Sequence, residues 1–248
     1  MFDVRGNSPR MTDKPRLVLV TGASRGIGRA ISLELARQGN IVVAIARSKA
    51  ALEKLDNEIR ALGSEAVIVP MDLKETKGIE TLGKVIAEKF GKLDGFVANA
   101  ALLGTLGPLE TCGPRSFEET IQVNLTANAH LIRALGPSLH RSESPRAVFI
   151  TSGVVPRPRA FWGPYQASKA GLEALVKAWA DESEKMALRA NLFDPGAVRT
   201  GMRAEAMPGE DPMTLPTPED VAKEIVKLVA PEETRTGQRI VYRDLVTH

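Results

Sequence analysis

The sequence predicts an α/β fold, a doubly wound, seven-stranded parallel sheet held between two layers of helices in a three-layer α/β/α sandwich. Seven short apolar, β-branched runs mark the strands: RLVLV (16–20), IVVAIA (41–46), EAVIVP (65–70), LDGFVAN (93–99), RAVFIT (146–151), LRANLF (188–193) and QRIVYR (238–243). They are apolar on both faces, as strands buried inside a parallel sheet are. Helical patterns near 26–38, 49–62, 76–90, 114–139, 162–186 and 218–229 separate them. Strands alternating with helices imply right-handed crossovers that place helices on both sheet faces.

The 248 residues, 43% of them hydrophobic, suit one domain, drawn here over residues 14–248. Residues 1–13 read as a mobile tail, with Met11 a second candidate start. The stretch 204–220 carries four prolines and is too broken for a continuous helix. It points to a substrate lid near 201–216.

Charge is nearly balanced, 33 Lys and Arg against 30 Asp and Glu, with no basic block and only 4% aromatic residues, so no nucleic-acid partner is expected. The longest apolar run, 41–46, is far short of a membrane span, and the N-terminal stretch has no apolar core of a secretory signal. Cys112 is alone, which excludes an intramolecular disulfide and favours a reducing, cytoplasmic setting. His130, His140 and His248 share no metal-ligand spacing, and no metal is expected.

LVLVTGASRGIGRAI (17–31) sets Gly22, Gly26 and Gly28 directly between a strand and a helix. Gly22 suits a turn conformation closed to other residues, Gly26 close approach of backbone to a pyrophosphate, and Gly28 close packing of helix on strand. The helix N-terminus then offers N–H groups to an anion. The spacing T-G-x-x-x-G-x-G, from Thr21 to Gly28 and including Ser24, Arg25 and Ile27, resembles the short-chain dehydrogenase/reductase family, whose fold is Rossmann-type.

In a Rossmann-type site the residue ending the second strand reads the adenosine ribose. Ala46 stands where NAD-preferring relatives carry Asp, and Arg47 and Ser48 follow. A carboxylate there would repel a 2′-phosphate, whereas Arg47 and Arg25 offer charge-assisted hydrogen bonds to it, with Ser24 and Ser48 adding hydroxyls. The expected cofactor is NADP(H), with NAD(H) the alternative. The resemblance further assigns Asp72 to the adenine amino group with Leu73 beside it. It assigns ANAA (98–101), with Asn99 and Ala100, to the family's N-N-A-G, Ala101 standing where Gly is usual.

Tyr165 and Lys169, in YQASK, lie four apart and so share one helix face. A nearby ammonium favours phenolate and is expected to lower the tyrosine pKa toward the operating pH of an acid/base catalyst. Ser152 lies thirteen residues earlier, Asn124 forty-one, and DPGAVRT (194–200) follows the sixth run. These match the family at Asn124, Ser152, Tyr165 and Lys169, and at Pro195, Gly196, Val198 and Thr200.

The resemblance implies that Tyr165 donates the proton, Ser152 stabilises the carbonyl oxygen, and Lys169 holds the nicotinamide ribose and acidifies Tyr165. It also implies that Asn124 positions a relay water and that 195–200 binds the carboxamide. The chain reads as an oxidoreductase moving hydride between a nicotinamide and a carbonyl or secondary alcohol. A dinucleotide-binding sensor or scaffold without chemistry is the alternative.

A small-molecule substrate is expected in an apolar cleft near Leu102, Leu103, Val154, Trp162 and Met202, with Arg157 and Arg159 in the neighbouring loop. Helices 114–139 and 162–186 carry apolar stripes, and the resemblance implies that they pair across two-fold axes in a homotetramer or homodimer. LDGFVANAALLG and AVRTGMRAEAMPGEDP are similar to bacterial NADP-type members of the family.

Overall fold

The computed structural model describes residues 15–246. The expected tail, the second start at Met11 and His248 lie outside the described residues. Seven strands form one sheet: β1 (Leu17–Thr21), β2 (Ile41–Ala46), β3 (Ala66–Pro70), β4 (Gly95–Ala98), β5 (Arg146–Ile150), β6 (Arg189–Asp194) and β7 (Arg239–Val241). Their order is β3-β2-β1-β4-β5-β6-β7, and every pairing is parallel. The order reverses between β1 and β4, which opens a crevice at the carboxyl ends of those strands.

Alternation along the strands divides the core. Val18, Val20, Val42 and Ala44 face one layer, made by α1 (Gly26–Arg37), α2 (Lys49–Ala61) and α8 (Pro218–Leu228). Leu17, Leu19, Val43 and Ile45 face the other, made by α3 (Thr76–Phe90), α5 (Ala127–Leu139) and α6 (Gly163–Glu182). In that second layer Phe149 meets Phe96 and Trp179 edge-to-face, at centroid distances of 5.4 and 6.1 Å. A reciprocal capping box between Thr217 and Asp220 starts α8.

Three local differences from the sequence reading follow from tertiary contacts. The expected helix 114–139 is interrupted: α4 (Pro114–Ile121) gives way to a π-turn over Gln122–Thr126 before α5 begins. Leu125 of that turn packs where a β-carbon on Gly171 would come within 2.7 Å of its Cδ2, so α6 approaches closely there. The long helix begun near 162 stops at Glu182, where Ser183 and Glu184 bond back to Trp179 and Asp181. The last strand is short, because Tyr242–Val246 coil into a final turn, α9. The proline-rich segment is irregular as expected, apart from α7 (Gly201–Ala206) and a 3₁₀ turn at Pro212–Thr214.

Candidate active site

Thr21 ends β1 beside the end of β4, and the two ends are laced together. The Thr21 hydroxyl accepts from the amides of Asn99 and Ala100 at 3.0 and 3.1 Å, and the Asn99 Nδ2 donates to the Thr21 and Gly22 carbonyls at 3.0 and 3.4 Å. Gly22 takes φ +67°, a conformation that a β-carbon disfavours. A β-carbon on Gly28 would lie 2.3 Å from the Gly22 carbonyl oxygen and 2.5 Å from Asn99 Nδ2, so only glycine lets α1 start this close to the sheet. Arg25, extended before α1, makes no side-chain cap, which leaves the first-turn N–H groups free for an anion. Ala101 is accommodated, since Phe161 is the only non-glycine with positive φ among the described residues.

A cleft of about 320 Å³ runs across the switch point. It is lined by every residue expected to bind the cofactor except Gly28 and Ser48, and by Ser152, Tyr165 and Lys169. Gly28 lies beneath the turn, and the Ser48 hydroxyl is engaged in capping α2 through the Ala51 amide at 3.3 Å. Arg25 and Arg47 are exposed at one end, and their guanidinium groups make no hydrogen bond or ion pair among the described residues. No carboxylate ends β2, where Ala46 stands. Asp72 lines the same end, its Oδ1 accepting from the Lys74 amide at 3.0 Å. An uncapped helix start, a glycine cradle and two unpaired arginines fit a phosphorylated dinucleotide.

At the other end, Ser152 follows β5 and its hydroxyl lies beside the Tyr165 phenol, accepting from the Val154 amide at 3.4 Å. Both chains of the YQASK pair are buried, Tyr165 with 7% and Lys169 with 2% of its surface exposed. Lys169 Nζ donates to the Ile150 carbonyl at 2.7 Å and sits 5.8 Å from the Tyr165 ring centroid. Burial pushes the Tyr165 phenol up to about 12, aided by the charge of Asp194 and opposed by the Ser152 hydroxyl. Burial also lowers the Lys169 ammonium to about 8. The expected acidified tyrosine is therefore not found in the protein alone: burial of the phenolate dominates, and the Lys169 ammonium beside the ring, bonded to the Ile150 carbonyl, does not offset it.

Asn124 does not line the cleft. Its Oδ1 accepts from the Leu102 amide and its Nδ2 donates to the Leu102 carbonyl, both at 2.8 Å, and Nδ2 also donates to Ser168 Oγ at 2.9 Å. Its backbone carbonyl accepts from Asn128 at 2.8 Å. The side chain thus clamps the loop after β4 to α6, one residue ahead of Lys169.

Leu103 and Val154 pack with Tyr165, joined by Leu106, Trp162, Met202 and Ala206, which makes the substrate end apolar. The Trp162 ring meets Tyr165 edge-on at 5.8 Å. Arg157 and Arg159 are exposed, Arg159 lying 5.8 Å over the Trp162 ring. Arg203, at the cleft wall, is held by Glu210 through two bonds of 2.5 and 2.6 Å.

Behind Ser152 lies a polar hub that the sequence reading did not single out, made by Arg239, Asp194, Glu173 and Thr151. Its members are scattered along the chain, and only buried charge in otherwise apolar strands and on α6 hints at them. Among the described residues no group of three or more His, Cys, Asp or Glu side chains is arranged to hold a metal, and no helix is long and apolar enough to cross a membrane.

Residues 16–211 match the short chain dehydrogenase family profile. The chain is 38% identical to the uncharacterised oxidoreductase YciK of Escherichia coli (strain K12) over 209 residues, 83% of this chain and 82% of that protein. It is 30% identical to a sepiapterin reductase of Chlorobaculum tepidum over 92% of this chain and 95% of that one. A short chain dehydrogenase structure from Shigella flexneri 2a str. 301, complexed with NADP, superposes with a TM-score of 0.88 at 34% identity, covering 92% of this chain and 97% of that one. Fold, glycine turn and sequence agree: the chain belongs to the short-chain dehydrogenase/reductase family and is an oxidoreductase acting between CH–OH and C=O groups.

Proposed function

We propose that the protein is an NADP(H)-dependent carbonyl reductase in which Tyr165 exchanges its phenolic proton with the substrate oxygen. The observation that carries this reading is the convergence of Ser152, Tyr165 and Lys169 at the inner end of the cleft, with the Ser152 hydroxyl beside the phenol. A nicotinamide held in the cleft would supply or accept the hydride. A phenol held at about 12 in the protein alone is protonated at neutral pH, the form that a proton donor needs. The Ser152 hydroxyl, already at the phenol, is placed to stabilise charge growing on the same oxygen. Lys169, buried beside the ring without a carboxylate partner among the described residues, would add positive charge and bind the ribose hydroxyls. Asn124 is assigned the role of holding the Leu102 loop and α6 together in support of that set.

NADP(H) is favoured over NAD(H) by the free guanidinium groups of Arg25 and Arg47 and by the absence of a carboxylate at Ala46. The bound NADP of the Shigella flexneri relative supports the same choice. Asp72 and Leu73 are assigned to the adenine, Asn99 and Ala100 to the inner ribose, and Pro195, Gly196, Val198 and Thr200 to the nicotinamide.

The apolar walls suit a hydrophobic aldehyde or ketone, and the reverse reaction on a secondary alcohol uses the same groups. Residues 201–216 are read as the lid. Arg199 staples it through the carbonyls of Pro212 and Leu215, at 2.8 and 3.3 Å. The single sheet supports one domain over 14–248. A homotetramer or homodimer through the α4–α5 and α6 faces, in the cytoplasm, completes the reading, and light scattering tests the assembly.

The deciding experiment is NADPH oxidation across ketones, aldehydes, quinones and β-ketoacyl thioesters. At least one class should be turned over by the wild type and not by Tyr165→Phe. Equal rates in both proteins would remove Tyr165 from the chemistry.

A further inference from the structure

Arg239 begins β7, whose backbone is already paired to β6 with Leu192 opposite Arg239 and Phe193 opposite Ile240. The strand is therefore attached without the Arg239 side chain. That side chain instead reaches the carboxyl end of the sheet. Its Nη2 donates to the Ser152 carbonyl at 3.1 Å and to Asp194 Oδ2 at 2.8 Å, and its Nε donates to Glu173 Oε1 at 3.0 Å.

Each acceptor belongs to a different piece of the site. Ser152 is the second residue after β5. Asp194 ends β6, and its Oδ1 accepts from the Gly196 amide at 3.0 Å, fixing the turn that begins at Pro195. Glu173 lies four residues after Lys169 and eight after Tyr165 on α6, and its Oε1 also accepts from the Thr151 hydroxyl at 2.7 Å. A single planar fork thus touches the three segments that carry Ser152, the 195–200 turn and the Tyr165–Lys169 face.

Charge sharpens the point. Glu173 and Asp194 are buried, at 6% and 4% exposure. The nearest other cation to Glu173 is Lys177, 3.8 Å from Oε2 and itself mostly exposed. Truncating Arg239 leaves two buried carboxylates poorly compensated, one of them close enough to bear on the phenol.

We propose that Arg239 is a positioning residue for the reaction, locking the Ser152 strand end, the Asp194-held turn and the catalytic face of α6 into one register. This rests on the carbonyl-reductase reading given above. Lysine does not replace it, because one ammonium lacks the rigid fork that meets three acceptors at once.

The test compares the wild type with Arg239→Met and Arg239→Lys. In the cofactor-free protein, amide hydrogen exchange should rise about tenfold or more at 151–155 and 194–198 in Arg239→Met, with β1 and β2 unchanged. Well below the melting temperature, kcat should fall roughly ten- to a hundredfold, because small misplacements of reacting groups are costly. KM for NADPH should move less than about threefold, since the adenosine end of the cleft is untouched. Arg239→Lys should fall between the two.

A lowered melting point with exchange at both segments unchanged, or with kcat within about twofold of the wild type, overturns the proposal. If Arg239→Met does not fold, Arg239→Lys decides: a wild-type kcat there also overturns it. If the wild type reduces no carbonyl compound, the functional reading fails, while the exchange measurement still decides whether Arg239 joins the two strand ends.

Discussion

Lys169 sits over the ring of Tyr165, its Nζ 5.8 Å from the ring centroid, yet its hydrogen bond goes to the Ile150 carbonyl. The two groups are buried together and their ionisations move apart, the phenol up to about 12 and the ammonium down to about 8. At neutral pH the pair is a neutral acid beside a poorly solvated cation.

That cation opposes folding. Its folded pKa, about 8, lies below the usual lysine value of 10.5. Between those values the unfolded chain binds more protons, so stability rises with pH from about 8 to 10.5 and the full penalty is present below 8. Lys169→Met should raise the melting temperature of the cofactor-free protein by about 5 °C at pH 7. The gain should shrink by pH 10, and turnover should vanish. Scanning calorimetry at the two pH values checks it, and a gain independent of pH would contradict the charge argument.

Tyr165→Phe keeps the ring against Trp162 and removes only the hydroxyl. NADPH binding, followed by fluorescence titration, should change less than about twofold, while kcat falls by a factor of about a hundred or more. Ser152→Ala should cost roughly a hundredfold in kcat, as loss of one oxyanion donor does.

Arg47 is exposed and unpaired within the described residues, so its removal disturbs little else. Arg47→Ala should lower kcat/KM for NADPH by about tenfold, the worth of a charge-assisted hydrogen bond of about 1.5 kcal/mol, with NADH almost unaffected. Parallel kinetics with the two cofactors measure the split. A uniform loss would mean the arginine supports the fold and not the 2′-phosphate.

Gly28→Ala should destabilise by about 1–3 kcal/mol, because the new methyl meets backbone at the Gly22 carbonyl, which has little room to yield. Denaturant unfolding and NADPH titration on the same sample should show both losses. An unchanged midpoint would place flexibility where the structure has close packing.

The strands and most helices were legible because buried parallel strands carry apolar residues on both faces, as in IVVAIA and LVLVT. The grouping of the residues expected to bind the cofactor was legible because they follow strand ends at short, fixed spacings, and Gly22, Arg47 and Asp72 all line one cleft. What escaped depends on the third dimension. The π-turn around Asn124 answers a loop 22 residues away, and a continuous helical pattern does not reveal it. Arg239 meets partners 45, 66 and 87 residues distant. The direction of the Tyr165 shift depends on how completely the ring is enclosed, which a four-residue spacing does not encode.

The stay between Asn99 and the glycine turn has a consequence for biosynthesis. Asn99 reaches back 78 residues to Thr21 and 77 to Gly22. A nascent chain that has emerged only through its first two strands lacks this brace, so its phosphate cradle is unfinished. A nucleotide bound at this turn would favour chains in which β4 has already docked on β1. Through mass action it stabilises only those. The glycine turn and the β1–β4 pairing are therefore completed together, and a ligand seated on the turn would report that both strands are in place.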